Sequence, residues 1–323
     1  MRQIAPIAMK YRSSQAGFAT GWYAVAESRA ILHDTLKPVA YLGRQMIVFR
    51  NRSGAAQVAD AYCPHLGAHL ASHDGRVENG TIVCPFHKWN WDGESGRCVH
   101  IPYASSLPPG GVRLTLYPTR EVDGAILVWY HPSGGEPSFE PYAAPELAQD
   151  EWELFDVKTW ITRCPFQDIL ENTFDSAHIV QLHRAVAVPA MTRKEPRPYG
   201  MFVEYALNPN SEGPQVALKL DFTGITLLHQ RYEGGGLPGL YVIALTPLDE
   251  EQVEQKTWFY LKKAEFSDPE RKAAEAFVDI FAHEVEQDFK VLDFKKHLLQ
   301  PRLCRGDGPI YQYREYARQY YCE

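Results

Sequence analysis

Two short segments bring cysteine and histidine together at a spacing that suits metal binding. Cys63 and His65 form a C-x-H motif, and Cys84 and His87 form a C-x-x-H motif after eighteen intervening residues. Two thiolates and two imidazoles presented by two loops can hold a [2Fe–2S] cluster, with the cysteines on one iron and the histidines on the other. Such a cluster accepts one electron and passes it on. The four residues therefore predict an electron-relay site.

The same ligand types also form Cys2His2 zinc sites, so zinc is the alternative. Zinc fingers place their histidines as a pair on a helix, whereas each histidine here follows a cysteine in a proline-containing loop at the end of a strand pattern. This placement favours the iron–sulfur cluster, in the arrangement known as Rieske. The other cysteines lack a partner at ligand spacing and are expected to be plain thiols. They are Cys98, Cys164, Cys304 and Cys322.

A second set of candidate ligands lies in one predicted helical segment. His178 and His183 are five residues apart, and Asp175 precedes His178 by three. Side chains at i and i+5 point about 140° apart on an ideal helix, so both histidines reach one metal only if the helix is irregular or ends between them. Asp175 shares a face with His178, and its carboxylate is predicted to hydrogen-bond the second ring nitrogen. Taken alone, the histidines would favour ordinary helical positions; the upstream relay site favours a metal.

A third ligand is predicted on the long helix that the sequence indicates after residue 268. Asp288 lies within the apolar stripe of this helix, and Glu284 lies at its edge. A carboxylate on an apolar stripe is costly unless it is paired or bound to a metal. We therefore predict Asp288, with Glu284 as the alternative, as the carboxylate of a 2-His-1-carboxylate Fe(II) site with open positions for O2. The stripe consists of Phe277, Phe281, Val285 and Leu292.

The elements that must position these residues fall into two halves. From residue 22 to about 132, short strand patterns alternate with tight turns, including hairpins over 46–62 and around Asp123-Gly124. The second half predicts a helix over 165–183, strands over 216–220 and 255–261, and a helix from about 268 to 297 with a capping box at Ser267 and Glu270. The proline-rich stretch between them predicts a linker. The predicted domains are an N-terminal arm (1–20), an all-β domain (21–150) and an α+β domain (151–323).

Composition excludes several classes of partner. The 323 residues carry a formal net charge of −7, and no cluster of lysine and arginine stands out, which argues against nucleic acid or an anionic membrane as a partner. The apolar run over 23–26 is far shorter than the roughly 20 residues of a membrane span. Six cysteines are too few for a disulfide scaffold. We expect a cytoplasmic protein without a membrane span.

The motifs, taken in order, resemble the catalytic (alpha) subunit of Rieske non-haem iron oxygenases. The resemblance rests on C-P-H, C-P-F-H, the run N-x-x-D-x-x-H-x4-H from Asn172 to His183, and the late Asp288. It implies an all-β Rieske domain followed by an α+β helix-grip (START-like) catalytic domain, in which a curved antiparallel sheet grips the long helix. Asn172 matches the family's asparagine and is expected near the iron; helix-start chemistry is the alternative.

The same resemblance implies a ring-shaped homotrimer in which the cluster of one subunit feeds the iron of its neighbour. Asp175 would then bridge the relay, because it would contact His178 and, across the interface, a cluster histidine such as His87 of the partner subunit. A separate electron donor of the ferredoxin reductase type, containing a flavin and an iron–sulfur centre, would supply electrons from NAD(P)H one at a time.

Within the family, the chain looks most similar to the steroid and sterol branch, which includes 3-ketosteroid 9α-hydroxylases and cholesterol 7-desaturases. The segments that carry this similarity are 60–63, 84–93, 97–104 and, in the tail, 306–310 and 314–321. Gln287 directly precedes Asp288, and the ligand of this branch likewise follows a glutamine. The resemblance implies O2-dependent hydroxylation or desaturation of an apolar steroid or sterol. The pocket is expected to be lined by 216–228, 241–245 and the long helix.

Three other functions stay open on the sequence alone. A Rieske oxygenase acting on an aromatic compound, by ring hydroxylation or O- or N-demethylation, would favour a charged anchor in the pocket for a carboxylate. A Rieske-type electron carrier would need only the cluster site. A zinc-stabilised binding protein would contain zinc and no sulfide.

Overall fold

The computed structural model describes residues 5, 7–11, 17–207, 209, 216–234, 239–263 and 268–321, with the backbone alone for residues 11 and 268–270. The chain forms two compact units, one over Tyr23–Tyr130 and Gly135–Pro137, and the other from Ser138 onward together with His131–Gly134 and the described residues before Tyr23. It passes from the first to the second over residues 131–137, inside the stretch that the sequence predicts as a linker. The domain limits of 1–20, 21–150 and 151–323 stay predictions, and much of the predicted arm lies outside the described residues.

The first unit is built from strands, with no α-helix among its described residues. Its three antiparallel sheets have the strand orders β1-β11-β10, β2-β3-β4-β9 and β5-β6-β7-β8. Both predicted hairpins are confirmed, and Asp123 and Gly124 adopt the positive φ angles (47° and 77°) that a tight two-residue turn requires. The strands are β1 (Gly21–Glu27), β2 (Lys37–Tyr41), β3 (Arg44–Arg50), β4 (Ala56–Asp60), β5 (Arg76–Glu78), β6 (Thr81–Val83), β7 (Asn90–Asp92), β8 (Cys98–His100), β9 (Leu116–Tyr117), β10 (Thr119–Val122) and β11 (Ala125–Tyr130).

The second unit contains one seven-stranded antiparallel sheet with the order β12-β18-β17-β16-β15-β14-β13. The strands predicted over 216–220 and 255–261 are confirmed as parts of β15 and β18. The seven strands are β12 (Trp152–Thr162), β13 (Ala190–Arg197), β14 (Gly200–Ala206), β15 (Ala217–Thr223), β16 (Leu227–Glu233), β17 (Gly239–Pro247) and β18 (Val253–Lys262).

Four helices accompany this sheet: α1 (Phe166–Glu171), α2 (Ser176–Gln181), α3 (Asp268–Leu292) and α4 (Ile310–Arg318). Aromatic rings fix α3 against the sheet. Phe277 lies 5.1 Å from Tyr232, and Phe281 lies 5.5 Å from Tyr241 and 5.4 Å from Phe259, measured between ring centroids. The predicted apolar stripe of the long helix is therefore the face that packs on the sheet.

Two helix predictions need correction. The helix predicted over 165–183 is broken into α1, a 3-10 turn over Asn172–Phe174, and α2. The long helix ends at Leu292 and not near His297, because the N–H groups of Phe294 and Lys295 bond to carbonyls three residues back, so the chain turns out of the α-helix there. The Asp293 carboxylate holds this turn by accepting hydrogen bonds from Thr162 and from the main-chain N–H of Arg163. The predicted capping box at Ser267 and Glu270 lies outside the described side chains. None of the described helices is both long and apolar enough to cross a membrane.

Candidate metal centres and substrate cavity

Two loops with the same hydrogen-bond pattern present the four predicted cluster ligands. In each loop the cysteine N–H donates to the carbonyl five residues later, and the cysteine carbonyl accepts from the N–H four residues later. The residue at that fourth position has a positive φ in both loops, 74° at Gly67 and 54° at Lys88. Each loop is thus closed on itself and holds its cysteine and histidine rigidly. The bonds are Cys63 to Ala68 (2.8 Å), Gly67 to Cys63 (2.9 Å), Cys84 to Trp89 (2.9 Å) and Lys88 to Cys84 (3.2 Å).

The chemistry of the four side chains fits a metal cluster. Burial, with a further contribution from the neighbouring Cys84 thiol, raises the pKa of Cys63 to about 11, so this thiol needs a cation beside it to become a thiolate. His65 and His87 lie with ring centroids 4.9 Å apart. The Nδ1 atom of His87 is buried and has no hydrogen-bond partner among the described residues, a costly state that a metal bond would relieve.

The spread of these ligands favours a two-iron cluster over one zinc ion. Four donors around a single zinc lie about 3.3–3.8 Å from one another, given the lengths of Zn–S and Zn–N bonds. In the described part of the chain, two groups of three metal-ligating side chains bring their donor atoms within 4.8 Å of one another, and neither includes Cys63, His65, Cys84 or His87. A [2Fe–2S] cluster divides its four ligands between two irons and so accommodates a wider set.

The predicted break in the histidine helix is confirmed. Helix α2 ends at Gln181, after His178 and before His183. The Leu182 N–H still bonds to the His178 carbonyl at 2.7 Å, and Arg184 then takes a positive φ of 61°. The two imidazole rings consequently lie side by side in an edge-to-face arrangement, with centroids 5.1 Å apart and planes at 79°.

Asp288 completes a group of three with these histidines. Its Oδ1 lies 3.0 Å from the His183 Nε2 and 3.9 Å from the His178 Nε2, and the three donor atoms all lie within 4.8 Å of one another. Burial raises the pKa of Asp288, although both histidines oppose that shift. The geometry and donor types fit a 2-His-1-carboxylate iron site. Glu284 lines the same cavity, but its carboxylate is not in this group.

The second nitrogen of each ring is held by an acceptor. The His178 Nδ1 contacts the main-chain carbonyl oxygen of Asp175, and the His183 Nδ1 lies 3.1 Å from the Gln287 Oε1. Both contacts place the ring proton on Nδ1 and leave the Nε2 lone pair for a metal. Gln287 was not predicted as part of the site from the residues themselves. Its position directly before Asp288 was the available signal.

The predicted contact of the Asp175 carboxylate with His178 is wrong. Asp175 lies in the break between the 3-10 turn and α2, with φ −90° and ψ 82°, so it does not have the helical geometry that places i and i+3 on one face. Its main-chain carbonyl takes the role that the side chain was expected to have. The predicted contact across a subunit interface is untested.

The Asn172 side chain contacts two of these three residues, Asp288 and His178. Its Nδ2 donates to the Asp288 Oδ2 at 2.9 Å and lies 3.2 Å from the His178 Nε2. This hydrogen bond holds one carboxylate oxygen while the other faces the histidines. The contact places Asn172 beside the candidate iron site, as the resemblance implies, and not in a helix-capping bond.

A cavity of about 440 Å³ opens beside these ligands. It lies within the second unit, between α3 and the sheet, and the expected segments contribute Val216, Leu228 and Ile243 to its wall. Two buried amides, Gln230 and Gln255, interrupt the mainly apolar lining. No lysine or arginine is present among the described residues of the lining. Its volume falls in the range of about 300–1,000 Å³ that holds drug-sized ligands.

Sequence comparison places both units among known domains. A family model described as 3-Ketosteroid 9alpha-hydroxylase C-terminal domain matches residues 128–321, and a Rieske [2Fe-2S] domain model matches residues 21–118. The chain is 28% identical to the cholesterol 7-desaturase of Caenorhabditis elegans, covering 95% of this chain and 77% of that protein. It is 27% identical to a 3-ketosteroid-9-alpha-monooxygenase oxygenase component of Rhodococcus rhodochrous, covering 96% of this chain and 82% of that protein.

Structure comparison gives the same fold. The crystal structure of dicamba monooxygenase bound to dicamba matches with a TM-score of 0.74 at 18% identity, over 94% of this chain and 98% of that chain. The predicted fold class, a Rieske domain followed by an α+β domain with an antiparallel sheet, is confirmed.

Proposed function

Because the chain belongs to the family of the 3-ketosteroid 9α-hydroxylase C-terminal domain and carries a Rieske [2Fe–2S] domain before it, we propose that it is the terminal oxygenase component of a system that hydroxylates or desaturates a steroid or sterol. The relatives named above, a cholesterol 7-desaturase and a 3-ketosteroid monooxygenase component, support this substrate class. His178, His183 and Asp288 would hold the mononuclear iron. Cys63, His65, Cys84 and His87 would hold the cluster.

The observation that carries the proposal is an apolar cavity that reaches the three candidate iron ligands and has no cationic residue in its described lining. A steroid or sterol is a neutral, largely apolar molecule and is stabilised by such a wall through burial of its surface. An aromatic acid would bring a carboxylate into the cavity, and the described lining offers it no lysine or arginine as a partner. The lining therefore favours the steroid or sterol over an aromatic acid.

The bound cluster would supply single electrons and the bound iron would supply activation of O2. The chain's own contribution is orientation and exclusion of water. The Asp175 carbonyl and the Gln287 amide fix the imidazole tautomers, and the Asn172 amide fixes the Asp288 carboxylate. The apolar wall holds the substrate's C–H bonds beside the ligands, and Gln230 and Gln255 offer hydrogen bonds to an oxygen on the substrate.

Further parts of the proposal concern partners. We propose a homotrimer, in the cytoplasm, that receives NAD(P)H electrons from a separate reductase of the ferredoxin reductase type. The Rhodococcus relative is an oxygenase component, which supports the separate reductase. The family resemblance supports the trimer and the intersubunit role of Asp175. The domain limits of 21–150 and 151–323 belong to the same proposal.

The deciding experiment measures iron, zinc and acid-labile sulfide per chain in anaerobically purified protein, followed by turnover of a steroid and sterol panel with O2, NADH and a reductase. We expect about three iron and two sulfide per chain, from one cluster and one mononuclear site, and oxidation of at least one panel member. Loss of turnover in His178→Ala, with the reducible cluster retained, would show that the second site is needed.

Other outcomes separate the alternatives. Two iron and two sulfide per chain, unchanged by added Fe(II), would favour an electron carrier. Zinc without sulfide would exclude the whole oxygenase proposal. Oxidation of aromatic acids, with no reaction of any steroid or sterol, would keep the oxygenase class and overturn the substrate.

A further inference from the structure

A buried network of five charged or titratable side chains lies next to the candidate iron site but touches none of its ligands in the contacts described above. Asp168 and Glu171 come from α1, Lys295 and His297 follow the end of α3, and Arg314 comes from α4. Asp168 is fully buried and Glu171 is 3% exposed. The tail that contains Arg314 is part of the sequence similarity to the steroid branch, and the proposed reaction gives it no role.

In this network, the side chains of Arg314, Lys295 and His297 contact the two carboxylates directly. Arg314 bonds to both oxygens of Glu171, and the Lys295 ammonium lies between the two carboxylates. The distances are His297 Nδ1 to Asp168 Oδ1 at 2.5 Å, Lys295 Nζ to Asp168 Oδ2 at 3.2 Å, Lys295 Nζ to Glu171 Oε1 at 3.3 Å, Arg314 Nε to Glu171 Oε2 at 2.7 Å and Arg314 Nη2 to Glu171 Oε1 at 2.9 Å.

Charge balance makes this group an ion network and not a further metal site. Asp168, Glu171 and His297 do bring donor atoms within 4.8 Å of one another, as metal ligands would. The cations of Lys295 and Arg314 already match the two carboxylates, however, so a divalent ion would add uncompensated positive charge. Burial alone would raise the pKa of Asp168, but the hydrogen bond with His297 and the charge of Lys295 outweigh it and lower the pKa.

The network joins the two parts of the chain that carry the iron ligands. Glu171 directly precedes Asn172, whose amide holds the Asp288 Oδ2 at 2.9 Å. Lys295 and His297 follow by a few residues the helix that carries Asp288. At one end of the network, Glu171 adjoins Asn172, the hydrogen-bond donor. At the other end, Lys295 follows shortly after α3, the helix that carries the acceptor Asp288.

We propose that this network positions Asn172 against Asp288 and thereby sets the affinity of the mononuclear site for Fe(II). This inference rests on the proposed function, since it requires that His178, His183 and Asp288 bind iron. Arg314 and Glu171 are positioning residues, because they act through the chain segments they join. Two carboxylates on one turn of α1 need cations from two other segments, so α1 cannot shift relative to α3 without separating buried charges.

The test uses Glu171→Gln, which keeps the side-chain shape and removes the charge. A matched control, Glu195→Gln, removes a carboxylate from the surface pair with Arg193, where Nε lies 2.5 Å from the Glu195 Oε1. Fe(II) is titrated into full-length protein that retains its cluster but has been depleted of mononuclear iron, and thermal unfolding is recorded on the same samples. We expect Glu171→Gln to weaken Fe(II) binding by about tenfold or more while the cluster spectrum is unchanged, and Glu195→Gln to bind as the wild type does.

A second variant keeps the test possible if Glu171→Gln does not fold. It also helps to distinguish an effect on Fe(II) binding from an effect on stability alone. Lys295→Met replaces a side chain that is 35% exposed, so it serves if Glu171→Gln does not fold, and it should weaken Fe(II) binding in the same direction. A lower unfolding temperature with wild-type Fe(II) affinity in the folded variants would overturn the inference and leave the network a stability element. A wild-type protein that binds no Fe(II) after cluster assembly would instead overturn the proposed function.

Discussion

Each imidazole of the candidate iron site depends on one acceptor that fixes its proton on Nδ1. For His183 that acceptor is the Gln287 Oε1 at 3.1 Å. We expect Gln287→Leu to weaken Fe(II) binding by about 10–100-fold, because loss of such an outer contact frees the ring and lowers its basicity as a ligand. Fe(II) titration of protein depleted of mononuclear iron, with the cluster intact, measures the change.

The neighbouring Glu286 provides the control for this prediction. Glu286 is exposed on the other side of α3, so Glu286→Gln should bind Fe(II) with wild-type affinity. Gln287→Glu keeps an acceptor oxygen and should restore most of the affinity lost in Gln287→Leu. Equal affinities in Gln287→Leu and Glu286→Gln would show that the Gln287 contact does not tune the site.

The ligand residues themselves follow from sequence more directly than the atoms that orient them. Asp288 could be predicted because a carboxylate on an apolar helical stripe is costly unless it is used. The acceptor for His178 could not, because a break in the helix turns the main-chain carbonyl of Asp175 toward the ring. Residue spacing describes side chains on regular helices, and this site is formed where the helix is irregular.

At the scale of elements, the break between α1 and α2 is packed against the loop that precedes α4. Gly308 has φ +78°, and a Cβ placed on it would lie 2.3 Å from the Phe174 carbonyl oxygen and 3.2 Å from the Ser176 N. We expect Gly308→Ala to cost about 1–2 kcal/mol from the left-handed backbone alone, and more from this clash. The unfolding temperature should fall by about 2–8 °C for a unit of this size, and Fe(II) binding should weaken because the clash acts on the turn that starts α2.

Gly306 is the matched control two residues earlier. A Cβ on Gly306 would meet no atom within 4 Å, and its φ lies outside the left-handed region. Gly306→Ala should therefore change the unfolding temperature by no more than about 1–2 °C. If Gly308→Ala were as stable as Gly306→Ala, the loop before α4 and the break between α1 and α2 could move apart at little cost in free energy.

Helices and strands could be predicted where one hydrophobic periodicity continues along the segment. Prediction failed where contacts between residues distant in sequence decide where an element ends. Apolar and polar residues alternate along β15, β18 begins with alternating burial, and the Asp123-Gly124 turn demands positive φ angles, so their patterns were sufficient. The end of α3 was not predictable, since no glycine or proline lies between Arg271 and His297. Just past the end of the helix, the Asp293 carboxylate accepts a hydrogen bond from Thr162, and the His297 ring contacts the Asp168 carboxylate; both partners are far away in sequence.

At the scale of the whole molecule, the ion network is expected to make the free energy of unfolding depend on pH at both the acidic and the basic end. The pKa of Asp168 is lowered from its ordinary 3.8, so the charged form is favoured by folding. Its contribution is present above that ordinary value and is lost as the pH falls through the folded-state pKa. The pKa of Lys295 is raised from its ordinary 10.5, so its contribution is present below 10.5 and is lost as the pH rises through the folded-state pKa.

Asp168→Asn should therefore lower the unfolding free energy by about 1–3 kcal/mol between roughly pH 5 and 9, because it removes the buried carboxylate that contacts His297 and Lys295. The difference from the wild type should shrink below about pH 4, where the carboxyl begins to be protonated in the unfolded chain, and should vanish as the pH falls through the lower folded-state pKa. Urea unfolding followed across this range measures the difference. A difference in unfolding free energy that stays constant down to about pH 2 would show that the charge of Asp168 does not contribute to stability.

The proposed ring of subunits makes a prediction that no single chain can test. If the cluster of one subunit serves the iron of the next, Cys63→Ser and His183→Ala subunits, each inactive alone, should complement each other in mixed trimers. Random mixing in equal amounts should restore about a quarter of wild-type turnover per chain, because half of the subunits carry a working cluster and half of their neighbours carry a working iron site. Mixing the wild type with the double variant should likewise give about a quarter. Relay within one subunit predicts no turnover in the first mixture and about half in the second, so the pair of measurements distinguishes the two routes.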